Sequence, residues 1–440
     1  MITSYSVYCW IKTTERSQNY PAIATNKKWE SGALFDYTGK HNYGCSLTSG
    51  SLYGWAFVLQ PNGAWAWNIG DGEQRLDYQP TCERQRISDG RWHLLAFSVD
   101  GEDLSARLYF DGVQVALYSL AAIKFADQSP GSFGLLFDQD EVLHEIPIVL
   151  NHVQVLKVFK KRFSHVPFVY PKFEVKRKLR IMSWNIWNGG REDGNDVGVQ
   201  RVTEIIQKTD ADVIAMQETY GSGPRIADAL GYHFYLRSSN LSIISRFPAL
   251  SHHSYFLPFN LGGVSLQLSS ALSIDVFTLW LHYLPDFCSD VLLDDITKEA
   301  LEAAEWDTRA YEMKQILGEI SKKFSGRRLF LAGDFNCPSH LDWTESARHL
   351  HRNLTVQWPV SKQIVNEGFS DSYRDIYPDE KKYPGHTWTP RNSKSWQDRI
   401  DYIYFRGSGV RCVDVKIYNT HEVLWPSDHA AVCATYDIDE

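Results

Sequence analysis

The chain is poor in cysteine, has no long apolar run and carries no excess of positive charge. Its seven cysteines (Cys9, Cys45, Cys82, Cys288, Cys337, Cys412, Cys433) are scattered over 440 residues, odd in number and without a CxxC pair. That argues against a zinc cluster or a dense disulfide framework, and it favours a reduced, cytoplasmic compartment, with a secreted mature form as the other case. No basic-then-apolar leader precedes the strand-like sequence that begins at Tyr5, so no secretion signal is expected. No apolar stretch reaches the ~18 residues that a transmembrane helix needs. The net charge of −8 disfavours a protein that wraps a long nucleic acid duplex, because such proteins carry a basic footprint.

What is present is the composition of a soluble globular protein, 43% hydrophobic and 22% charged, in a chain long enough for two cores. Residues 1–165 read as all-β. Short alternating runs recur at Tyr5 to Ile11, Trp55 to Leu59, Trp92 to Val99 and Ala106 to Phe110, and turns Asp71-Gly72, Asp89-Gly90, Asp100-Gly101 and Asp111-Gly112 punctuate them. A β-sandwich is expected. A basic, proline-punctuated crossing follows, and residues 166–178 read as a solvated linker. Over 179–440 strands alternate with helices. Val199, Val202, Ile205 and Ile206 have helical spacing and lead into a strand at Asp212 to Gln217. Trp306, Ala310, Met313, Leu317 and Ile320 predict one longer helix before a strand at Arg328 to Ala332. A layered α/β sandwich is expected.

The second half carries the chemistry. Apolar runs end in polar groups: Trp184-Asn185, Gln217-Glu218, Leu281-His282 and Gly333-Asp334-Phe335-Asn336. Asp401 sits in Arg399-Ile400-Asp401-Tyr402, and Asp428-His429 follows Ser427. Singly, each has a bland explanation. Asn185 fits a turn amide, Glu218 or Asp428 a helix cap, His282 a rim histidine and Asp-x-Asn a loop former. Together they are the inputs by which sheet edges build a metal-dependent hydrolytic site. Oxygen ligands such as Asn185, Glu218 and Asp428 suit a hard divalent ion, Mg²⁺ or Mn²⁺. Asp334 could take the proton of an attacking water, with Asn336 two residues along holding a phosphate oxygen from the same side of the chain. His429 would donate to phosphate or to the leaving oxygen, with Asp428 or Asp401 fixing its tautomer, and His282 adds a phosphate donor.

These residues, in this order, resemble the endonuclease/exonuclease/phosphatase family, over roughly residues 178–438. The resemblance implies a four-layer α/β sandwich and divalent-metal-dependent hydrolysis of phosphoric esters. It maps the family's strand-final asparagine to Asn185, its metal-binding glutamate to Glu218 and its central-strand histidine to His282. "GDFN" falls on Asp334 and Asn336, the "R-[IL]-DY" aspartate on Asp401 and "SDH" on Asp428 and His429. Where abasic-site enzymes have an acid two residues after the first asparagine, this chain has Trp187. In the first half, Asp89-Gly90-Arg91-Trp92-His93 and Leu108-Tyr109-Phe110-Asp111-Gly112 resemble the laminin-G/concanavalin-like jelly roll. That implies a jelly-roll sandwich and, as a partner, a glycan contact.

Arg191, His340, Trp343, His386 and Trp388 flank the site motifs and are read as substrate-binding, although Trp343 and Trp388, each taken singly, read better as side chains that fill the core beside the site. Aromatic rims and the acidic stretch Asp286 to Trp306 suit a small, sugar- or lipid-linked phosphodiester better than a polyanion. A phosphodiesterase is therefore expected. Three alternatives stay open: a nuclease, a phosphomonoesterase, and a glycan-binding protein whose hydrolase half is a relic.

Overall fold

The computed structural model describes residues 4–26, 53–71, 75–122, 149–156, 160 and 178–439. They form two compact units: Met1–Lys172 with Tyr220–Asn240, and Phe173–Thr219 with Leu241–Glu440. The expected linker lies outside the described residues, apart from its last residue.

The first unit opens with β1 (Tyr5–Lys12), β2 (Ala22–Thr25), β3 (Tyr53–Leu59), β4 (Trp65–Asp71), β5 (Arg75–Tyr78), β6 (Trp92–Asp100), β7 (Ser105–Phe110), β8 (Val113–Ser119) and β9 (Val149–Leu156). They make two antiparallel sheets, β2-β3-β4-β5 and β9-β1-β6-β7-β8. Aromatic side chains from both sheets meet on Phe97, whose ring centroid is 5.4–5.8 Å from those of Tyr5, Trp55, Phe57 and Trp67. That interdigitation is the core of a sandwich. The Asp111-Gly112 turn joins β7 to β8 with φ of +49° and +82°, the mirror-type turn that a tight hairpin favours.

In the second unit β10 (Lys178–Asn185) runs parallel to β11 (Val213–Gln217), with the helix Val197–Thr209 between them. The chain then makes an excursion. The helix Gly223–Leu230 and β12 (His233–Leu236) belong to the first unit, where β12 pairs in parallel with β8. Partition of the sequence at residue 165 gives no sign of this return. Back in the second unit come β13 (Ser242–Ser245), β14 (Ala249–His253), β15 (Leu261–Gln267) and β16 (Ser273–Trp280), then β17 (Leu329–Asp334), β18 (Ser370–Asp371), β19 (Asp401–Arg406), β20 (Val410–Tyr418) and β21 (Ala431–Ile438).

One sheet of this unit has the order β20-β21-β10-β11-β13 and the other β14-β15-β16-β17-β19-β18, and β10 and β11 pack on β16, β17 and β19. Strands covered on both faces do not alternate, and β11 and β17 are buried at every residue. The helix Arg309–Lys323 lays Ala310, Met313, Ile316, Leu317 and Ile320 on Phe277, Leu279, Leu329 and Leu331. The single helix read from Trp306 to Ile320 is two. Lys298–Trp306 ends before Thr308, whose φ of −133° and ψ of −98° restart the chain as the helix Arg309–Lys323. Trp306 consequently points away from the stripe and is half exposed.

Candidate active site

Strand register brings the site together. Asn185 is the last residue of β10 and pairs with Gln217, so Asn185 and Glu218 leave neighbouring parallel strands side by side. Across the facing sheet, Asp334 at the end of β17 pairs with Trp280 at the end of β16 and with Asp401 at the start of β19. His429 stands two residues before β21, which pairs antiparallel with β10. Ends of parallel strands and starts of antiparallel ones thus supply one rim.

At that rim the backbone turns left-handed. Trp187, Asn188, Gly189 and Gly190 have φ of +53°, +49°, +73° and +70°, and Glu218 and Asn336 have +53° and +52°. Side-chain-bearing residues rarely adopt this region, and the surroundings must hold them there. Here the turn aims main-chain N–H groups at the site side chains. Trp187 N–H donates to Asn185 Oδ1 (3.0 Å), Asn188 N–H to Glu218 Oε2 (3.0 Å) and Asn336 N–H to Asp334 Oδ1 (2.9 Å). With its oxygen taken by Trp187, Asn185 turns its Nδ2 inward, donating to Glu218 Oε1 and to Asp334 Oδ2 at 3.1 Å each.

His429 is held on every side. Nδ1 lies 2.9 Å from Asp401 Oδ2, and Nε2 faces the centre, 3.5 Å from Asn185 Nδ2 and 3.8 Å from Asp334 Oδ2. Its main-chain carbonyl accepts from the indole N–H of Trp425 (2.8 Å) and of Trp184 (3.2 Å). Ser427 Oγ accepts from His429 N–H (3.0 Å) and donates to the Asn185 carbonyl (2.7 Å). Thr387 Oγ1 accepts from Ile400 N–H (3.0 Å) and Asp401 N–H (3.1 Å), while the Thr387 carbonyl accepts from Ala430 N–H (2.8 Å). Ser427, Thr387, Trp184 and Trp425 are supports that sequence reasoning missed. The only signal available for them was adjacency to a site motif.

The electrostatics follow from burial. Burial pushes the Asp334 carboxyl up to about 7, with His429 opposing the shift. Burial would depress the His429 imidazole, yet the Asp401 and Asp334 carboxylates outweigh it and hold the imidazole well above its usual value. Burial raises Asp428 to about 6, with His429 opposing and Glu218 reinforcing the shift. The arrangement is therefore an imidazolium on Asp401 within a set of carboxylates.

Asn185, Glu218, Asp334, Asp401, Asp428 and His429 come together. The remaining sequence candidates are placed differently. Asn336 donates through Nδ2 to the Leu281 carbonyl (2.8 Å), tying the end of β17 to that of β16. His282 is exposed, stacked on Tyr283, with Nδ1 accepting from Leu284 N–H (3.1 Å). Arg191 donates from Nε to the Asn188 carbonyl (3.1 Å), bracing the left-handed turn. His340 turns to Ser361 Oγ (2.8 Å) on the helix Pro359–Asn366, and His386 is exposed. Trp343 is not a rim residue. It is fully buried, stacks on His351 and donates from Nε1 to Asp398 Oδ2 (2.9 Å), so no face is left for substrate. Trp388 does reach the centre, its ring edge-on to His429 with centroids 4.9 Å apart.

The model of the endonuclease/exonuclease/phosphatase family matches residues 182–429, more than half of the chain and the whole span of these motifs. The chain belongs to the endonuclease/exonuclease/phosphatase family. It is, in that sense, a divalent-metal-dependent phosphoester hydrolase. Residues 2–134 match the concanavalin A-like lectin/glucanases superfamily. The uncharacterized protein F14F9.5 of Caenorhabditis elegans is 30% identical over 295 residues, covering 60% of this chain and 93% of that protein. Among solved structures, an AP endonuclease from Archaeoglobus fulgidus is 18% identical with a TM-score of 0.43, covering 59% of this chain and 100% of its own. A humanized D. rerio TDP2 is 16% identical with a TM-score of 0.43, covering 59% and 99%.

The residues present suit the ion that the family uses. Asp428 Oδ1 and Asp401 Oδ1 are buried without a hydrogen-bond partner, a costly state for carboxylates unless a cation offsets it. The donors are oxygens, as a hard divalent ion prefers.

Proposed function

We propose that the chain is a phosphodiesterase acting on a small, sugar- or lipid-linked phosphodiester. The observation that carries the proposal is the forked Asn185 amide, which joins Glu218 to Asp334 beside an imidazole pinned by Asp401. Glu218 and Asp428 are the residues that would hold the divalent ion, whereas Asn185, the third ligand expected from sequence, has its amide oxygen on the Trp187 N–H. Asp334, Asp401 and His429 also bring ligand atoms within 4.8 Å of one another, but His429 Nδ1 is spent on Asp401, and imidazole suits softer ions. When bound, the ion supplies positive charge against the phosphoryl oxygens and keeps neighbouring carboxylates ionised.

The chain's own groups do the rest. Asp334, with Oδ1 held by Asn336 N–H and Oδ2 by Asn185 Nδ2, takes the proton of the attacking water. Asn185 keeps that carboxylate in line with Glu218, one N–H of its amide on each. His429, charged and oriented by Asp401, donates from Nε2 to the leaving oxygen. Asn336 ties the ends of β17 and β16 together through the Leu281 carbonyl, and so holds the segment that carries Asp334.

Charge favours a diester. Glu218, Asp334, Asp401 and Asp428 face a single imidazolium, so even with a divalent ion the centre keeps about one negative charge. A monoanionic diester meets less repulsion than a dianionic monoester. The exposed acids Asp294, Asp295 and Glu299 further disfavour a polyanion. The test is a panel of phosphodiesters, phosphomonoesters and oligonucleotides with wild type and Asp334→Asn. Diester turnover that vanishes in the variant is expected. Preference for a monoester or an oligonucleotide would overturn the substrate assignment.

A further inference from the structure

Glu218 stands at the mouth of the excursion. After Thr219 the chain enters the sandwich unit at Tyr220 and leaves it after Asn240. Within that unit the excursion is fastened at several points. β12 lies on β8, with Phe234, Tyr235 and Leu236 opposite Ala116, Leu117 and Tyr118. Tyr118 meets Phe234 edge-on at 5.8 Å. The buried carboxylate of Asp228, on the helix Gly223–Leu230, accepts from Gln85 Nε2 (2.8 Å) and from the Thr81 hydroxyl. His233 Nδ1 donates to the Gln114 carbonyl (2.7 Å), and the buried Arg237 donates to Ser119 Oγ (3.1 Å).

The neck is closed as well. Tyr220 N–H donates to the Ser239 carbonyl (2.9 Å), and Thr219 Oγ1 pairs with Ser242 Oγ (2.7 Å). Between neck and strand the backbone is coiled tight, with φ of +53° at Glu218, +35° at Tyr220 and +83° at Gly221. A turn of this kind persists only when both ends are fixed. On the catalytic side β11 fixes one end. The other runs directly into the helix that carries Asp228.

We propose that Asp228, gripped by Thr81 and Gln85, is a positioning residue for Glu218, acting along the chain through the turn that joins Glu218 to the helix Gly223–Leu230. The proposal rests on Glu218 being an ion ligand. Removing the grip takes both side-chain donors from a buried carboxylate, leaving it the main chain and charge of Arg84, and loosens the helix that follows Glu218. Outer groups that orient a metal ligand typically control affinity about tenfold or more.

The experiment measures Mn²⁺ affinity of metal-free, full-length protein by electron paramagnetic resonance, together with kcat and KM. Thr81→Ala/Gln85→Ala should weaken Mn²⁺ binding about tenfold and lower kcat with little change in KM, and Asp228→Asn, which keeps an acceptor, should bind far better than Asp228→Ala. Glu218→Gln is the control. If it binds Mn²⁺ like wild type, the ligand reading fails. If it loses Mn²⁺ while Thr81→Ala/Gln85→Ala keeps full affinity, the grip is overturned. Wild type alone gives an independent check, because linkage is reciprocal. Mn²⁺ should slow amide exchange over Gly223–Leu230, and unchanged exchange there counts against the proposal.

Discussion

Replacing Glu305 with glutamine should remove most of one alkaline loss of stability and leave turnover untouched. Glu305 lies near the end of the helix Lys298–Trp306, fully buried, with Oε1 accepting from Val360 N–H (2.9 Å). Burial pushes its carboxyl from 4.5 up to about 7, with the Arg309 guanidinium opposing. Because the folded value is raised, the folded state keeps a proton that the unfolded chain has already lost. Stability is therefore full below pH 4.5 and falls as pH rises through 7. Each pKa unit corresponds to ~1.4 kcal/mol, so the loss by pH 8 is about 3 kcal/mol. Glutamine mimics the protonated state at every pH. Unfolding free energies from urea titration of wild type and Glu305→Gln should coincide near pH 4 and separate by that amount at pH 8, other titrations cancelling in the difference. Arg309 keeps its hold on the His282 carbonyl (3.2 Å) and the Pro285 carbonyl (2.9 Å), so kcat should not change. Curves that run parallel from pH 5 to pH 8 would refute the buried-carboxyl argument.

Three further outcomes are expected. Asp401→Asn takes the carboxylate from His429 Nδ1 and should lower kcat by about 10²–10⁴ with an unchanged circular dichroism spectrum; a loss under tenfold would detach Asp401 from the reaction. Arg399→Met leaves Asp342 and Asp371 buried without their shared guanidinium, which should cost about 3–5 kcal/mol of stability by urea unfolding; a cost under 1 kcal/mol would show that Arg374, whose Nε donates to Asp342 Oδ1 (2.6 Å), suffices for Asp342. Chelator should abolish turnover and Mg²⁺ or Mn²⁺ restore it, and at a hundredfold excess over Kd the ion should add about 2.7 kcal/mol to stability; Glu218→Gln should lose that increment in a thermal shift assay.

Local chemistry made much of the fold legible. The Asp111-Gly112 turn, the strand around Phe97 and the buried strands β11 and β17 follow from period and turn residues, because each is decided by its immediate neighbours. Two features were not decided locally. The stripe from Trp306 to Ile320 keeps helical spacing across Asp307 and Thr308, and only the backbone of Thr308 shows the break. The return of Tyr220–Asn240 to the sandwich unit is fastened by distant pairings such as that of Asp228 with Gln85, across 143 positions, which no window of sequence contains.

The site divides along the same line. Its reactive groups were legible because each must stand at a strand end, where an apolar run stops on a polar residue. What orients them was not, because a carbonyl that accepts from two indoles, or a hydroxyl that accepts from two N–H groups, uses ordinary core residues. Trp343 and Trp388 show the cost of that blindness. Both are tryptophans beside a site motif, yet one stacks on His351 in the core and the other sets its edge on His429. The difference lies in which way a loop turns after its motif. Trp343 lies beyond Ser339, whose carbonyl accepts from the N–H groups of Asp342 and Trp343 and curls the chain inward. Trp388 bridges the main chain of Asp398 and His429, which fixes it between the two segments that carry the acid and the imidazole. Proximity in sequence names candidates for a rim, and main-chain pairing decides which of them reach it.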